Sequence, residues 1–405
     1  METPLRVNGD VRSAPEPSPS SSRDAAPGSE LERHRRRTVR PPAADRPTRS
    51  TRTVRAQLTS DRSCSTRGYA AGVARGRGWY RGDCHVHSAS SKGGELTPEQ
   101  LAAAARALGL DFVAVTEHNT AETHDVWSSL AGDDLLVILG QEVVTHTGHW
   151  LALGIQPGQV VEGRYRVRDD VIDRHIDRVH EAGGLCVAAH PHAPYPSGDL
   201  MYPFELFDAV EVWNGQWTSD LPWNADNEAA LAEWGRGLAA DIHAGRWRPA
   251  MGNSDTHLEG QIGIPHTVVL AEEPSTEAVL AGIRAGRSWI AESAAVELSF
   301  WASAGERNAG IGERLTAGDG PVVVRADVRG VSSGVVSFHT DRGKAHRVSL
   351  PADGSGVVEW RTDAEESAFV RIEVRHPGGG MAALTNPTIL ADPTTDGCPG
   401  RASAV

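Results

Sequence analysis

WYRGDCHVH, residues 79–87, decides the fold. It reads as a strand that runs into two histidines, His85 and His87, one residue apart. In a strand, residues i and i+2 share a face, roughly 7 Å apart at Cα. Two imidazoles so placed can converge on one ion at about 2.0–2.1 Å, the usual Zn–N distance. A strand that delivers polar side chains to a following loop is how a barrel or an open α/β sheet builds an active site.

The same arrangement recurs. His118 lies in TEHNT, Glu142 in GQEVV, His149 in TGHWLALG and His190 in AAHPH, while Asp255 and His257 share NSDTH. Nearly all follow an apolar, strand-like run. The i, i+2 relation of His85 and His87 returns in Asp255 and His257. Histidine with carboxylate suits Zn, Mn or Fe rather than Mg or Ca, which prefer oxygen shells. Each residue alone has a plain structural explanation. His118 and Asn119 could cap a turn, His149 could bond backbone in the core, and His190-Pro191 could be turn chemistry. The ordered set makes those explanations jointly improbable and predicts a polynuclear metal centre.

Around these positions strands and helices alternate. LTPEQLAAAARALGLD predicts a helix with Thr97 as N-cap, Pro98 in its first turn, Gln100 closing a capping box and Gly109 as the stop. DFVAVTEHN, LLVILGQEV and HWLALGI read as strands. A helix over about 169–182 places Ile172, Ile176 and Val179 on one face. LCVAAHP, FDAVEVWNG, a helix within 226–245 and PAMGNSDTH follow. STEAVLAGIRAGRS, with Ser275 as N-cap, is a closing helix. This alternation predicts a mostly parallel α/β barrel. Cys84 and Cys186 sit in apolar runs and read as small buried hydrophobes.

The order HxH, T-[DE]-H-N, G-x-E, H-x-x-A-x-G, A-H-P and S-D-x-H resembles the PHP (polymerase and histidinol phosphatase) superfamily. EVWNG at 211–215 and IRAGRSWIAES at 283–293 look most like its carbaryl-hydrolase-type (CehA/McbA-like) metallohydrolase branch. The resemblance covers roughly residues 79–293. It implies a distorted (β/α)7 barrel with two or three divalent metal ions, zinc first, manganese or iron as alternatives. By that resemblance His85, His87, Glu142 and Asp255 would hold one ion. Glu142 would bridge to a second held by His149 and His190, and His118 and His257 would serve a third. Two positions depart from the pattern. Glu117 stands where many members have Asp, and Lys92 and Gly93 stand where many offer His or Asp, so the third site lacks an obvious ligand.

Near residue 295 the pattern changes to alternating apolar and polar residues between Gly-rich turns: VELSF, VVVRADV, GVVSFHT, HRVSL, GVVEW and FVRIEVRH. This predicts an antiparallel β-sandwich of about seven strands. The expected organisation is a disordered basic segment over 1–75, the hydrolase barrel over 76–294, the sandwich over 295–392 and a flexible tail over 393–405. The sandwich histidines His339, His346 and His376 share no motif and read as surface residues.

Net charge is −13 from 40 Lys plus Arg against 53 Asp plus Glu. Residues 1–75 carry 15 Arg against 8 acidic residues, which leaves −20 for the remainder. Such an acidic body disfavours nucleic acid as a partner. RHRRRTVR at 33–40 is not followed by an apolar signal core. No stretch approaches the ~20 apolar residues of a membrane span. A cytoplasmic enzyme acting on a small-molecule ester is expected, with phosphoester and carbamate or carboxyl ester nearly level. Metal ions would polarise the scissile oxygen and acidify a water. Glu142 is the natural bridge, and Asp255, with His257 beside it, could orient that water or take its proton. Lys92, Asn119, Trp213 and Asn214 are candidate substrate contacts. The alternative is a non-catalytic metal-binding protein whose sandwich recruits a partner.

Overall fold

The computed structural model describes residues 76–391 apart from residue 319. The basic segment 1–75 and the tail 393–405 lie outside the described residues.

The strand expected at WYRGDCHVH is β1 (Gly78–Val86). It leads to helix α1 (Pro98–Ala107), which carries the expected cap. Thr97 Oγ1 accepts from Gln100 N at 3.4 Å, and Gln100 Oε1 accepts from Thr97 N at 2.9 Å. These bonds satisfy two donors a helix start otherwise leaves orphaned. Strand β2 (Phe112–Val115), helix α2 (His124–Leu130) and strands β3 (Leu136–Val144) and β4 (His149–Leu153) follow. Next come α3 (Ile172–Glu181), β5 (Leu185–Ala188), β6 (Ala209–Asn214), α4 (Asn227–Asp241) and β7 (Ala250–Asn253). Helix α3 buries Ile172, Ile176 and Val179, the face the 3.6-residue period picks out. Strand β8 (His266–Ala271), helix α5 (Thr276–Arg284) and strand β9 (Ser288–Ala291) complete this part. Ser275 caps α5 by accepting from Ala278 N at 3.2 Å.

β1 pairs parallel with β2, and β2 with β3; β5, β6 and β7 are also parallel. β4 runs antiparallel to both β3 and β5. The connection at 145–148 explains this, because a parallel crossover needs a dozen or more residues. The end of β7 returns to β1 through a bridge between Val86 and Thr256 and a bond from Cys84 N to Asn253 Oδ1 at 3.0 Å. The sheet is therefore curled, mixed rather than mostly parallel, with the ends of β1 and β7 side by side. Sequence reading did not separate α2, β8 or β9, all short, yet β8 pairs with β1 across five registered positions.

The C-terminal part contains β10 (Glu297–Ala304), β11 (Arg307–Gly310), β12 (Arg314–Thr316), β13 (Val322–Arg329) and β14 (Val335–Thr340). It continues with β15 (Gly343–Ser349), β16 (Gly356–Thr362), β17 (Phe369–Arg375), β18 (Met381–Thr385) and β19 (Thr388–Ala391). One sheet has the order β11-β10-β13-β16. The other runs through β17 and β18 and is continuous with the curled sheet, because β18 pairs with β9. β12 and β19 are parallel, a departure from the all-antiparallel expectation. Val322, Val324, Ala326 and Val328 of β13 join Val336, Phe338, Ile372 and Val374 in the core of this part. Among the described residues no helix is long and apolar enough to cross a membrane.

One buried histidine makes the fold sensitive to acid. His266 Nδ1 contacts Gly263 O at 3.0 Å, and its Nε2 lies 3.1 Å from Arg81 Nη1. That geometry needs a neutral ring donating at Nδ1 and accepting from Arg81. Burial, with Arg81 adding to it, pushes the imidazole down to about 4. An unfolded histidine titrates near 6.5, so the unfolded chain takes up this proton first as pH falls. Stability is then lost progressively from about pH 6.5 toward 4 and is unaffected above. We expect this residue to contribute about 2 kcal/mol of the loss between pH 7 and pH 5. Urea unfolding at both pH values should show a smaller drop for His266→Gln; an equal drop would refute the assignment.

Candidate metal centre

The eight expected donors converge at one end of the curled sheet. His85 and His87 leave the end of β1, His118 follows β2, and Glu142 lies on β3. His149 opens β4, His190 follows β5, and Asp255 and His257 follow β7. Glu142 is the hub. Its Oε2 lies 3.6, 3.5 and 3.0 Å from Nε2 of His85, His87 and His118. Its Oε1 lies 2.9 Å from His149 Nδ1 and 3.0 Å from His190 Nε2. Asp255 Oδ1 lies 3.3 Å from His85 Nε2 and 3.1 Å from His87 Nε2. Four ligand groups of metal-site size result among these donors: His85 with His87 and Glu142, His85 with His190 and Asp255, Glu142 with His149 and His190, and His87 with His118 and His257.

The i, i+2 argument holds for His85 and His87 and fails for Asp255 and His257. β7 ends at Asn253, and Asp255 has a φ of 49°, so the two side chains are not on one strand face. Asp255 faces His85 and His87. His257 turns to His87, with ring centroids 4.4 Å apart, and its Nδ1 contacts Asp255 O at 3.0 Å.

These residues fit a divalent cation. Asp255 Oδ1 lies 3.3 Å from His85 Nε2 and 3.1 Å from His87 Nε2, and all three atoms are buried without a hydrogen-bond partner. Buried polar atoms normally find partners, and leaving one unmade costs about 1–3 kcal/mol. Three such atoms aimed at one point make a donor set for a cation. The charge states agree. Burial opposes ionisation of Glu142, but His149, His85 and His118 together outweigh it and hold the carboxyl well below the usual range. Asp255 is likewise held down, against burial, by His85, His87 and His257. Burial pushes His87 down to about 3, so it is a neutral donor. His85 moves the other way: burial opposes its charge, but Asp255, Glu211 and Glu142 raise it. His118 and His190 are raised in the same way, against burial, by Glu142 and Asp255, so these three are the ligands that would give up protons when a cation binds.

Sequence reading missed the groups that hold the donors. Glu211 is fully buried on β6 and lies 3.1 Å from His85 Nδ1. It also accepts from His190 N, Asn214 Nδ2 and Asn253 Nδ2 at 2.9–3.0 Å. A glutamate inside the otherwise apolar run AVEVWN was the available signal, since a fully buried acid is rare without partners. Glu117, at the Asp-to-Glu departure, reaches Ser88 and Ser91, and Ser91 Oγ lies 3.3 Å from His87 Nδ1. Tyr195 packs its ring 6.1 Å from His149 and 6.4 Å from His190. Nothing in its sequence surroundings marks it.

The candidate substrate contacts scatter. Asn214 is buried beside the centre, with Nδ2 3.3 Å from Asp255 Oδ2. Asn119 commits its amide to Val144, donating to O at 2.9 Å and accepting from N at 3.0 Å. Trp213 is only 1% exposed and packs edge-on against Trp217 in the core. Trp223, 49% exposed, lines the adjoining cleft of about 290 Å³ instead. Lys92 is exposed and makes no ion pair among the described residues. Its neighbour Gly93 passes His257 so closely that a Cβ there would lie 3.2 Å from the ring. Arg287 accepts from Leu270, which pairs with Trp79 at the opposite end of β1, away from the centre. Trp289 is buried in the C-terminal core, and His192 pairs with Glu233. Of the sandwich histidines, His376 pairs with Glu292, and His339 lies 3.4 Å from Glu373. Cys84 and Cys186 are buried free thiols.

Glu211→Gln should keep the shape of the site but weaken its hold on His85. We expect metal affinity to fall about 10–100-fold, the usual cost of losing such a supporting carboxylate. Competition with a chelating indicator measures this, and unchanged affinity would remove Glu211 from the design.

Residues 83–187 match the family model of the PHP domain. An uncharacterized protein of Methanocaldococcus jannaschii is 26% identical over 158 residues, covering 33% of this chain and 81% of its own. A two-domain protein of Bacteroides vulgatus, described as containing a predicted PHP-like metal-dependent phosphoesterase, is 16% identical with a TM-score of 0.45. That alignment covers 78% of this chain and 97% of the other. An amidohydrolase of Chromobacterium violaceum with bound sulfate is 19% identical with a TM-score of 0.32, covering 45% of this chain and 89% of its own. The span similar to the PHP domain carries His85, His87, His118, Glu142 and His149, five of the eight donors.

Proposed function

We propose that this chain is a metal-dependent hydrolase of a small ester, built on a distorted (β/α)7 barrel of the carbaryl-hydrolase-type branch of PHP proteins. The observation that carries the reading is the convergence of unpartnered His85 Nε2, His87 Nε2 and Asp255 Oδ1 beside Glu142. His85, His87, Glu142 and Asp255 would hold one divalent ion, and Glu142, His149 and His190 a second. His118 and His257, with His87, would serve a third. Zinc is the first choice for this donor set, with manganese or iron next. When bound, such ions supply Lewis-acid polarisation of the scissile oxygen and an acidified water.

The chain's own residues have separate tasks. Glu142, with two oxygens facing different histidines, neutralises charge on both sides and fixes their spacing. Asp255, oriented by Asn214, is placed to hold the attacking water and take its proton. His257 lies against Asp255, 3.5 Å from Oδ1, with Nδ1 donating to Asp255 O, which leaves Nε2 as its free nitrogen. The cleft beside Asp255 is the natural entry for a small-molecule substrate.

Elemental analysis and turnover of p-nitrophenyl phosphate, bis-p-nitrophenyl phosphate and naphthyl carbamate test the reading on metal-reconstituted protein. We expect bound divalent metal and hydrolysis of at least one ester. Glu142→Gln should lose metal and at least about 100-fold in kcat/KM, a loss of about 3 kcal/mol in transition-state stabilisation. Metal bound with no turnover of any ester would favour a non-catalytic metal-binding protein, and a Glu142 variant with full metal content and rate would overturn the assignment.

A further inference from the structure

The cleft that adjoins Asp255 has an unusual lining. Its polar side chains are mainly amides, Asn214, Gln216, Asn224 and Gln261, and its exposed aromatic is Trp223. Among the described residues that line it there is no lysine, arginine or histidine, and the single acid, Asp255, belongs to the metal centre. Neighbours fix which end of three amides faces outward. Gln261 Oε1 accepts from both His257 N and Leu258 N at 2.8 Å, so Nε2 remains to donate. Asn214 Nδ2 faces the carboxylates of Glu211 and Asp255, which leaves Oδ1 to accept. Asn224 Nδ2 donates to Ala225 O at 3.1 Å, which likewise leaves Oδ1. The Gln216 amide makes no hydrogen bond among the described residues and can do either.

We infer that the group carrying the ester is an uncharged monosaccharide. This rests on the hydrolase reading of the neighbouring centre. Hydroxyls both donate and accept, which is what a mixed set of donor and acceptor amides requires. The axial-hydrogen face of a sugar ring is apolar and suits the exposed indole of Trp223. A charged tail would find no counter-charge here. A plain aryl group would cover the indole but leave the amides unpaired, and sites built to bond hydroxyls reject analogues that lack them. At about 290 Å³ the cleft lies at the lower limit of ligand sites, room for one ring. With a sugar phosphate, water oxygen would bond to phosphorus, the bond from phosphorus to the sugar oxygen would break, and that oxygen would leave with a proton.

The test uses the full metal-reconstituted chain with hexose 1- and 6-phosphates and acetylated hexoses, against p-nitrophenyl phosphate and naphthyl carbamate. We expect the best sugar ester to exceed p-nitrophenyl phosphate by at least about 100-fold in kcat/KM, although p-nitrophenolate leaves more easily. Trp223→Ala and Gln216→Ala should each raise KM for that sugar ester by about 10-fold or more, leaving kcat and metal content unchanged. Aryl esters cleaved as well as any sugar ester, or variants without effect on KM, would overturn the inference while leaving the hydrolase reading intact. If no ester turns over, binding of the same hexose phosphates followed by tryptophan fluorescence decides it. Saturable binding weakened about 10-fold or more in Gln216→Ala, which keeps the Trp223 indole as reporter, would support the sugar site without the enzyme, and no binding would overturn it.

Discussion

The carboxylate of Glu142 faces five histidines at 2.9–3.6 Å, delivered by β1, β4 and the segments after β2 and β5. A fully buried anion surrounded by imidazoles is stable only if the histidines are held in register, and the curl of the sheet does that. β3 brings Glu142 beside His118, and the bridge from Val86 to Thr256 brings Asp255 beside His85 and His87. Backbone conformation is set by this requirement. Five described non-glycine residues have positive φ, and three of them, Asn119, His190 and Asp255, are at or next to the centre. Each such residue costs about 1–3 kcal/mol when it is not glycine, and such residues collect where surrounding structure over-determines them for function.

The C-terminal strands brace this end of the molecule. Asn386 pairs with β7, accepting from Ala250 N at 2.7 Å and donating to Ala250 O at 3.0 Å. β7 is the strand that launches Asp255. Arg375 of β17 pairs with Glu228 of α4 at 3.1 Å and lies over the Trp217 ring at 5.1 Å. Trp217 in turn donates to Glu228 at 3.0 Å, and Asn227 beside it accepts from Asn214 N at 2.9 Å. A continuous set of bonds therefore joins β17 to the residue that orients Asp255. This gives the β-rich region a mechanical relation to the centre without any of its own side chains entering it.

Much of this was legible in the sequence where one local rule decided the outcome. The capping box at Thr97 and the face of α3 follow from a few adjacent residues. The donors were visible because strand ends present polar residues at fixed places after apolar runs. What the sequence concealed depends on contacts across the chain. The antiparallel turn of β4 could have been read from the short link at 145–148. The failure of the i, i+2 rule at Asp255 and His257 could not, since β7 ends two residues earlier. Trp213 illustrates the same limit. It follows an apolar run, as the donors do, yet its indole turns into the core while Trp223, ten residues on, lines the cleft. Glu211 and Ser91 act through bonds to His85 and His87 that span 126 and 4 residues, so only Ser91 was within local reach.

Charge divides the site into two parts. Glu142, Asp255, Glu211 and Glu117 crowd the centre, in a chain whose net charge is already −13. An anionic phosphoryl group could not approach those carboxylates unaided, because like charges repel strongly where water is excluded. Bound divalent cations would reverse that local potential, so on the proposed reading metal would admit the reacting end of an anionic substrate. Beyond Asp255 the described residues lining the amide cleft carry no charge, so an uncharged ring is neither attracted nor repelled there. A substrate with a charged head and a neutral, hydroxylated body would therefore be oriented by electrostatics alone before any hydrogen bond forms. In the proposed reading its head would turn to the cations and its body to Trp223 and the amides, while the reverse orientation would leave the cations uncompensated.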